Sequence, residues 1–261
     1  MNVEANALFT KVFFNLISRR TEVRTFRKVV DLGLPHAAAR LADDNMRAAG
    51  AFLADPSHDK FFLDKDGFIG VVGGAEGLAK KVTSRELDVF RLSVDAASLV
   101  FMHSALDGAV QDCCRICALV APGDWEQFLK NRKVSLEDLK GSDYQTIFRA
   151  RLSEHLEDLE RESLFTRIDR LFALCKPPKD FVGVKGFSFD GDRLRTLDND
   201  RHAIIHGDGV APQSVGDAID FLHNTGLFLV TLVNHRYDVK VDPEWVREHA
   251  DQIRGWGKLN E

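Results

Sequence analysis

The segment from Ser84 to Val120 limits the possible folds more than any other part of the chain. Apolar residues recur along it at steps of three and four, as on one face of an α-helix, and a second apolar row runs beside the first. The two rows are Leu87, Phe90, Val94, Ala97, Phe101 and Leu99, Met102, Leu106, Val110, Cys113, Cys117. Thr83-Ser-Arg-Glu86 has the pattern of a capping box and predicts the start of this helix, while Pro122 predicts its end. A helix that is apolar along two rows is typical of the centre of a helical bundle.

The remainder of the chain after this segment also has helical patterns. Ser142-Asp-Tyr-Gln145 is a second capping-box pattern, and it predicts the start of a long helix that ends at Pro177. A shorter helix is predicted over about 192–206, with Gly207 as its C-terminal cap. The last strong helix is predicted over about 214–237.

The first 84 residues give a weaker pattern. Helices are predicted near 4–30 and 35–53, and a short hairpin or a loop over 61–72. The sequence therefore predicts an all-α protein built on a four-helix bundle with a mostly helical N-terminal extension. Its predicted parts are the extension over 1–83, the bundle over 84–240, and a C-terminal tail or short helix over 241–261.

Composition excludes several functional classes. The chain carries 35 Lys and Arg against 40 Asp and Glu, a formal net charge of −5, which argues against a broad basic surface for gripping duplex DNA. No stretch of 18 uncharged apolar residues is present, and the N-terminal segment lacks the basic start and cleavage site of a secretory signal. Three of the four cysteines lie together in one helical segment, unlike a disulfide framework. We therefore expect a cytoplasmic protein with no membrane segment.

The segment from Leu194 to Gly209 holds the most informative residues. On a helix, Leu194, Leu197, Arg201 and Ile204 fall on one stripe, so that Arg201 interrupts an apolar row. A guanidinium is never neutral in a protein, and a partly buried one therefore needs an anion or several acceptors. The second stripe is polar and consists of Asn199, His202 and His206.

An arginine followed by four residues and a histidine, at the end of the third helix of a four-helix bundle, resembles the motif of the HEPN superfamily. Its ribonuclease members carry Arg-x4–6-His in this place. The spacing alone also occurs at Arg149 and His155 and at Arg195 and His202, so it is the helical context that favours Arg201 with His206. The resemblance covers about 84–237 and leaves the first 84 residues unexplained.

The resemblance implies a metal-independent endoribonuclease with a toxin or anti-phage defence role. It implies that Arg201 and His206 are catalytic, and that they cleave RNA, for example tRNA, to 2′,3′-cyclic phosphate and 5′-hydroxyl ends. Asn199, Asp200 and His202 would position them. Many active members have Asn or Asp directly after the arginine, where this chain has His202. The resemblance further implies a homodimer whose motif helices meet, and an antitoxin or other regulatory partner.

The residue types suit this chemistry. RNA cleavage without a metal needs a group that moves the proton of the ribose 2′-hydroxyl and positive charge beside the phosphate. A histidine titrates near neutral pH, and the carbonyl end of a helix favours its protonated form, which suits an acid or a phosphate clamp at least as well as a base. An arginine holds a phosphate through a fork of donors.

Other interpretations of the same residues remain open. Arg201 could instead pair with a carboxylate of the central helix, Asp107 or Asp112, as a structural device. The domain would then be a catalytically silent HEPN-like binding or interaction module. A metal held by His202 and His206, or by the clustered cysteines with Cys175 or His103, is less well supported, and we predict neither a metal nor a cofactor. The Gly-rich stretch 70–77 lacks the residues of a phosphate-binding loop.

Overall fold

The computed structural model describes residues 2–61, 64–129, 143–207, 209–212, 214–251 and 253. These residues form helices and connecting segments and contain no strand, so the predicted all-α class is confirmed. The α-helices are α1 (Val3–Ala54), α2 (Lys65–Val72), α3 (Gly74–Val120), α4 (Glu126–Leu129), α5 (Tyr144–Arg161), α6 (Leu164–Cys175), α7 (Gly191–His206), α8 (Val215–Tyr237) and α9 (Pro243–Glu248). Short 3₁₀ turns, Pro56–Phe61 and Pro122–Trp125, follow α1 and α3.

The first helix, α1, is longer than the sequence suggested. The predicted interruption between Val30 and Pro35 is wrong, because the helix continues through Pro35. A proline cannot donate to the carbonyl four residues earlier, here that of Asp31, but both residues are exposed and that carbonyl can reach water. Leu34, directly before the proline, is buried, and burial of this kind stabilises the helix across the proline.

The central helix, α3, begins ten residues earlier than its capping-box pattern predicted. Thr83 does not cap it: the side chain is buried within the helix, and its hydroxyl accepts a hydrogen bond of 3.0 Å from the Asn45 amide of α1. The predicted division of the chain at residue 83 therefore falls inside an unbroken helix. Gly73 and Gly74, both with positive φ, form the joint between α2 and α3.

The short helix α2 replaces the hairpin or loop that was predicted over residues 61–72, and this prediction is wrong for 65–72. Asp64 caps α2, since its carboxylate accepts a hydrogen bond of 2.9 Å from the Gly67 N–H. Residues 62 and 63 of the predicted hairpin lie outside the described part of the chain.

The core lies where α3 is surrounded by α1, α6 and α8. The second of the two predicted apolar rows of α3 is fully buried, whereas in the first row only Val94 is buried and Phe90 and Phe101 are exposed, so the prediction that both rows face the core is wrong for the first row. The first half of α1, placed by the sequence in an N-terminal extension, contributes to this same core. Its buried apolar residues are Ala5, Phe9, Val12, Leu16 and Val23.

The single long helix predicted from Ser142 to Pro177 is wrong in detail, because two helices occupy this region. Asp143 caps α5, accepting a hydrogen bond of 2.8 Å from the Thr146 N–H, while Ser142 lies outside the described residues. The helix stops at Arg161. Ser163 then caps α6, because its hydroxyl accepts a hydrogen bond from the N–H of Thr166, three residues later. A good N-cap in the middle of a helical pattern starts a new helix, which lets α6 turn its own apolar face toward α3.

Beyond this core, α1 and α3 continue side by side as a two-helix arm, which we define as residues 35–54 and 74–90. Along the arm only a narrow seam is buried, and it includes Ala49, Ala79 and Thr83. Asn45 joins the two helices, donating to Thr83 and, over 2.8 Å, to Glu86 Oε2.

One helix of the described chain, α3, is long and apolar enough to span a membrane by length and composition. The sequence had predicted no membrane-spanning segment. This is weak evidence for a membrane, because the core helix of a helical protein meets the same criterion, and the row of α3 from Leu99 to Cys117 is buried in the core.

Candidate functional site

The helix α7 carries all of the predicted site residues, and its ends form as predicted. Asp190 caps its start, where one carboxylate oxygen accepts hydrogen bonds of 3.0 Å from the N–H groups of Asp192 and Arg193. Gly207 ends it with φ 80°, a conformation that favours glycine, so the predicted C-terminal cap is confirmed. Leu194 and Leu197 are buried in the core and fix which side of α7 faces inward.

Arg201 lies on the inward side of α7 with 30% of its side chain exposed. Its Nε and Nη2 atoms lie 3.2 Å and 3.1 Å from Oδ1 of Asp198, one turn earlier on the same helix. The expectation that a half-buried arginine needs an anion is met, but the suggested partners Asp107 and Asp112 are wrong. Asp107 is bound by Arg167 of α6, and Asp112 lies 3.3 Å from Arg115.

The same oxygen of Asp198 has a third neighbour, His103 of α3. Its Nε2 atom lies 3.0 Å from Asp198 Oδ1 but forms no hydrogen bond with it. Only 1% of His103 is exposed, and its Nδ1 atom has no hydrogen-bond partner among the described residues. Burial lowers the pKa of His103, the positive charge of Arg201 lowers it further, and Asp198 and Asp107 oppose the shift. The ring is therefore neutral at neutral pH.

The histidines of the motif lie elsewhere on α7. His206 and His202 are exposed, and their rings are close together, with centroids 4.4 Å apart. Asn199 is exposed as well, and Asp200 is partly exposed. Five residues along an α-helix turn the direction of a side chain by about 140°. Arg201 and His206 thus point to different sides of α7, and their contacts share no residue.

The structure therefore arranges the predicted residues in two groups. One joins Arg201 to Asp198 and His103 on the inner side of α7, and the other joins His202 to His206 on the outer side. Asp198 and His103 were missed as site residues. A signal for His103 was present, since it is a polar residue beside the buried Leu99, Met102 and Leu106 row, just as Arg201 interrupts the row on α7.

The described residues contain no group of three or more His, Cys, Asp or Glu side chains placed to hold a metal ion. His202 and His206 make a pair without a third ligand in that part of the chain. The four cysteines are free thiols buried between α3 and α6, and burial raises the pKa of Cys114 to about 12. Thiols that stay protonated are poor metal ligands, and their surroundings favour packing as their role.

Comparisons with models of protein families, with curated proteins and with solved structures find no match to this chain. The resemblance to HEPN ribonucleases consequently stays a prediction from the motif and its helical context.

Proposed function

We propose that the chain is a metal-independent endoribonuclease of the HEPN type, in which Arg201 stabilises the phosphate and His206 transfers a proton. One observation carries the proposal. Arg201 is anchored by Asp198 along one edge of its guanidinium while nearly a third of the side chain remains exposed, five residues before an exposed histidine. An anchored cation with open donors is what a transferring phosphate requires.

The chemistry divides between the two residues. The ribose 2′-hydroxyl attacks the adjacent phosphorus, its proton is removed, and the 5′-oxygen leaves with a proton, which yields a 2′,3′-cyclic phosphate. His206 performs one of the proton transfers, and the outer nitrogens of Arg201 balance the charge that builds on the phosphate oxygens. His202 lies against the His206 ring and orients it, while Asn199 and Asp200 contribute polar groups on the same end of α7.

The directions of the side chains support a homodimer. Because Arg201 and His206 point about 140° apart, one copy of α7 does not aim both at one phosphate. Two copies of α7 that meet around a two-fold axis can place Arg201 of one chain opposite His206 of the other. The substrate is RNA, for which tRNA is the first candidate, and the role is that of a cytoplasmic toxin or anti-phage nuclease under a regulatory partner such as an antitoxin.

The test is incubation of the purified chain with total tRNA and with a structured RNA in the presence of EDTA. We expect fragments with cyclic phosphate ends, and a loss of about 100-fold or more for Arg201→Ala and for His206→Ala. Arg195→Ala, an exposed arginine of the same helix, and His36→Ala, an exposed histidine of the arm, are matched controls that keep full activity. Equal cleavage by all four variants, or cleavage abolished by EDTA, contradicts the proposal.

The second candidate is a catalytically silent HEPN-like binding module, and the ion pair between Arg201 and Asp198 favours it. This pair neutralises the charge that a phosphate would need. The module predicts binding of a partner or of RNA without any cleavage. It also predicts that expression of the wild-type chain slows bacterial growth no more than expression of His206→Ala does.

A further inference from the structure

His103 is a polar residue whose neighbours on α3 are buried and apolar. It lies in the middle of α3, beside the fully buried Leu99, Met102 and Leu106, and only 1% of its surface is exposed. A leucine there would lose no hydrogen bond, whereas the imidazole leaves Nδ1 without a partner among the described residues. A buried polar atom of this kind lowers the stability of the fold, so its presence indicates a role other than packing.

The reason lies at Oδ1 of Asp198, where three groups meet. Nε2 of His103 is 3.0 Å away from this oxygen, and Nε and Nη2 of Arg201 are 3.2 Å and 3.1 Å away. An exposed ion pair three residues apart on a helix holds its geometry loosely. Here only 26% of the Asp198 side chain is exposed, and the buried ring blocks its movement toward α3. The carboxylate is thereby held in one position, and with it the edge of the guanidinium that it binds.

The charges around His103 come from three helices. Asp107 lies on α3 itself, Arg167 on α6, and Asp198 and Arg201 on α7. Arg167 binds Asp107, so that the carboxylate of α3 does not compete with Asp198 for Arg201. Burial lowers the pKa of His103 and keeps the ring neutral. A neutral ring does not compete with Arg201 as the cation that pairs with Asp198.

We propose that His103 is a positioning residue of the ribonuclease site, which acts through Asp198 to fix the guanidinium of Arg201 with its Nη1 edge toward the substrate. The inference rests on the proposed function. His103 itself touches no substrate, because it is buried behind α7. Its contribution is to the orientation of a group that stabilises charge, and the rate of the chemical step is sensitive to such orientation.

Steady-state RNA cleavage by His103→Leu tests the proposal. We expect kcat to fall by up to about 100-fold with little change in KM, because Arg201 acts on the transition state. In the Arg201→Ala background the same substitution causes no further loss, since there is nothing left to position. His103→Phe, which keeps a ring beside Asp198, restores part of the rate. If His103→Leu does not fold, Asp198→Ala breaks the same link from the half-exposed side.

The matched control is His223→Leu, which replaces another buried histidine with an unpartnered Nδ1, in the contact between α1 and α8. It leaves kcat unchanged. Loss of rate by both histidine variants, or an undiminished effect of His103→Leu on top of Arg201→Ala, overturns the positioning role.

A second readout separates this inference from the proposed function. The NMR signal of the Arg201 Nε–H group, assigned by its loss in Arg201→Lys, reports the contact with Asp198 whether or not the chain cleaves RNA. We expect slow hydrogen exchange at this group in the wild type and in His223→Leu, and fast exchange in His103→Leu. A wild type that cleaves no RNA refutes the ribonuclease. Unchanged Nε–H exchange in His103→Leu refutes the positioning of Arg201.

Discussion

His223 makes the stability of the chain depend on pH, and the size of the effect follows from its surroundings. The residue is 4% exposed where α8 crosses α1, and burial is the largest cause that lowers its pKa to about 4 from 6.5. Arg20 lowers the pKa further. A hydrogen bond with the Leu16 backbone and the negative charge of Asp220 oppose the shift. Arg20 and Arg24 both bind this carboxylate at 2.9 Å.

The folded chain holds His223 neutral down to about pH 4, whereas the unfolded chain protonates it near pH 6.5. The unfolded state therefore binds an extra proton between these values. The corresponding stability is fully present above pH 6.5 and is lost as the pH falls toward 4. A shift of this size amounts to about 3 kcal/mol.

Urea unfolding of the wild type and of His223→Leu at pH 7, 6, 5 and 4.5 measures this contribution. Carboxylates and His103 change the stability of both proteins, so the informative quantity is the difference between their free energies of unfolding. We expect this difference to move in favour of the variant by about 2 to 3 kcal/mol between pH 7 and pH 4.5. A difference that does not change with pH, or an NMR titration that puts the His223 pKa near 6.5, would refute the reasoning.

Three further predictions concern helix contacts and the site. Gly226→Val should lower the free energy of unfolding by about 1 to 3 kcal/mol in urea titrations, because a Cβ at this position lies 2.8 Å from a methyl carbon of the buried Leu16. The control is Gly216→Val, which should be tolerated because nothing lies within 4 Å of a Cβ there. Gly207→Ala should cost about 1 to 2 kcal/mol by the same assay, since φ is 80°, and Gly207→Asn clearly less. Mixed dimers refolded from Arg201→Ala and His206→Ala chains should regain about a quarter of the wild-type cleavage rate, because half of them carry one intact site; a mixture as inactive as its components would argue against a site composed from two chains.

Local signals in the sequence located some elements closely. The shorter helix before Gly207 and the last helix were predicted to within about a residue of α7 and α8. Both have their determinants within a few residues: an apolar stripe, a capping side chain or a glycine that permits positive φ.

Elements that depend on distant parts of the chain were predicted less well. Thr83 has the sequence context of an N-cap, but its hydroxyl is bound by Asn45, 38 residues away, and no local pattern contains this information. A second helix was predicted to begin at Pro35, yet α1 continues through it, with the neighbouring Leu34 buried. The two-helix arm was not predicted for the same reasons, because it forms only if α1 continues past Pro35 and α3 begins before Thr83.

In the candidate site, too, the features set by local sequence were predicted and those set by distant contacts were not. The interruption of an apolar stripe identified Arg201 as a half-buried cation from sequence alone. Its partner was assigned to the wrong helix, because the choice among several aspartates depends on how α6 is turned. Arg167 of α6 takes Asp107, which leaves Asp198 for Arg201. The neighbouring His103 could be identified only after α3 and α7 had been placed together.

The position of α3 at the centre of the core has a consequence for biosynthesis. The helix leaves the ribosome well before α8, which packs against it and ends at Tyr237. At roughly 5 to 20 residues per second, on the order of ten seconds pass between the synthesis of the end of α3 and that of the end of α8. During this interval the nascent chain exposes Leu99, Met102, Leu106 and Val110 to other molecules in the cell. A chaperone that binds apolar helices would have its greatest effect on the yield of this protein in those seconds.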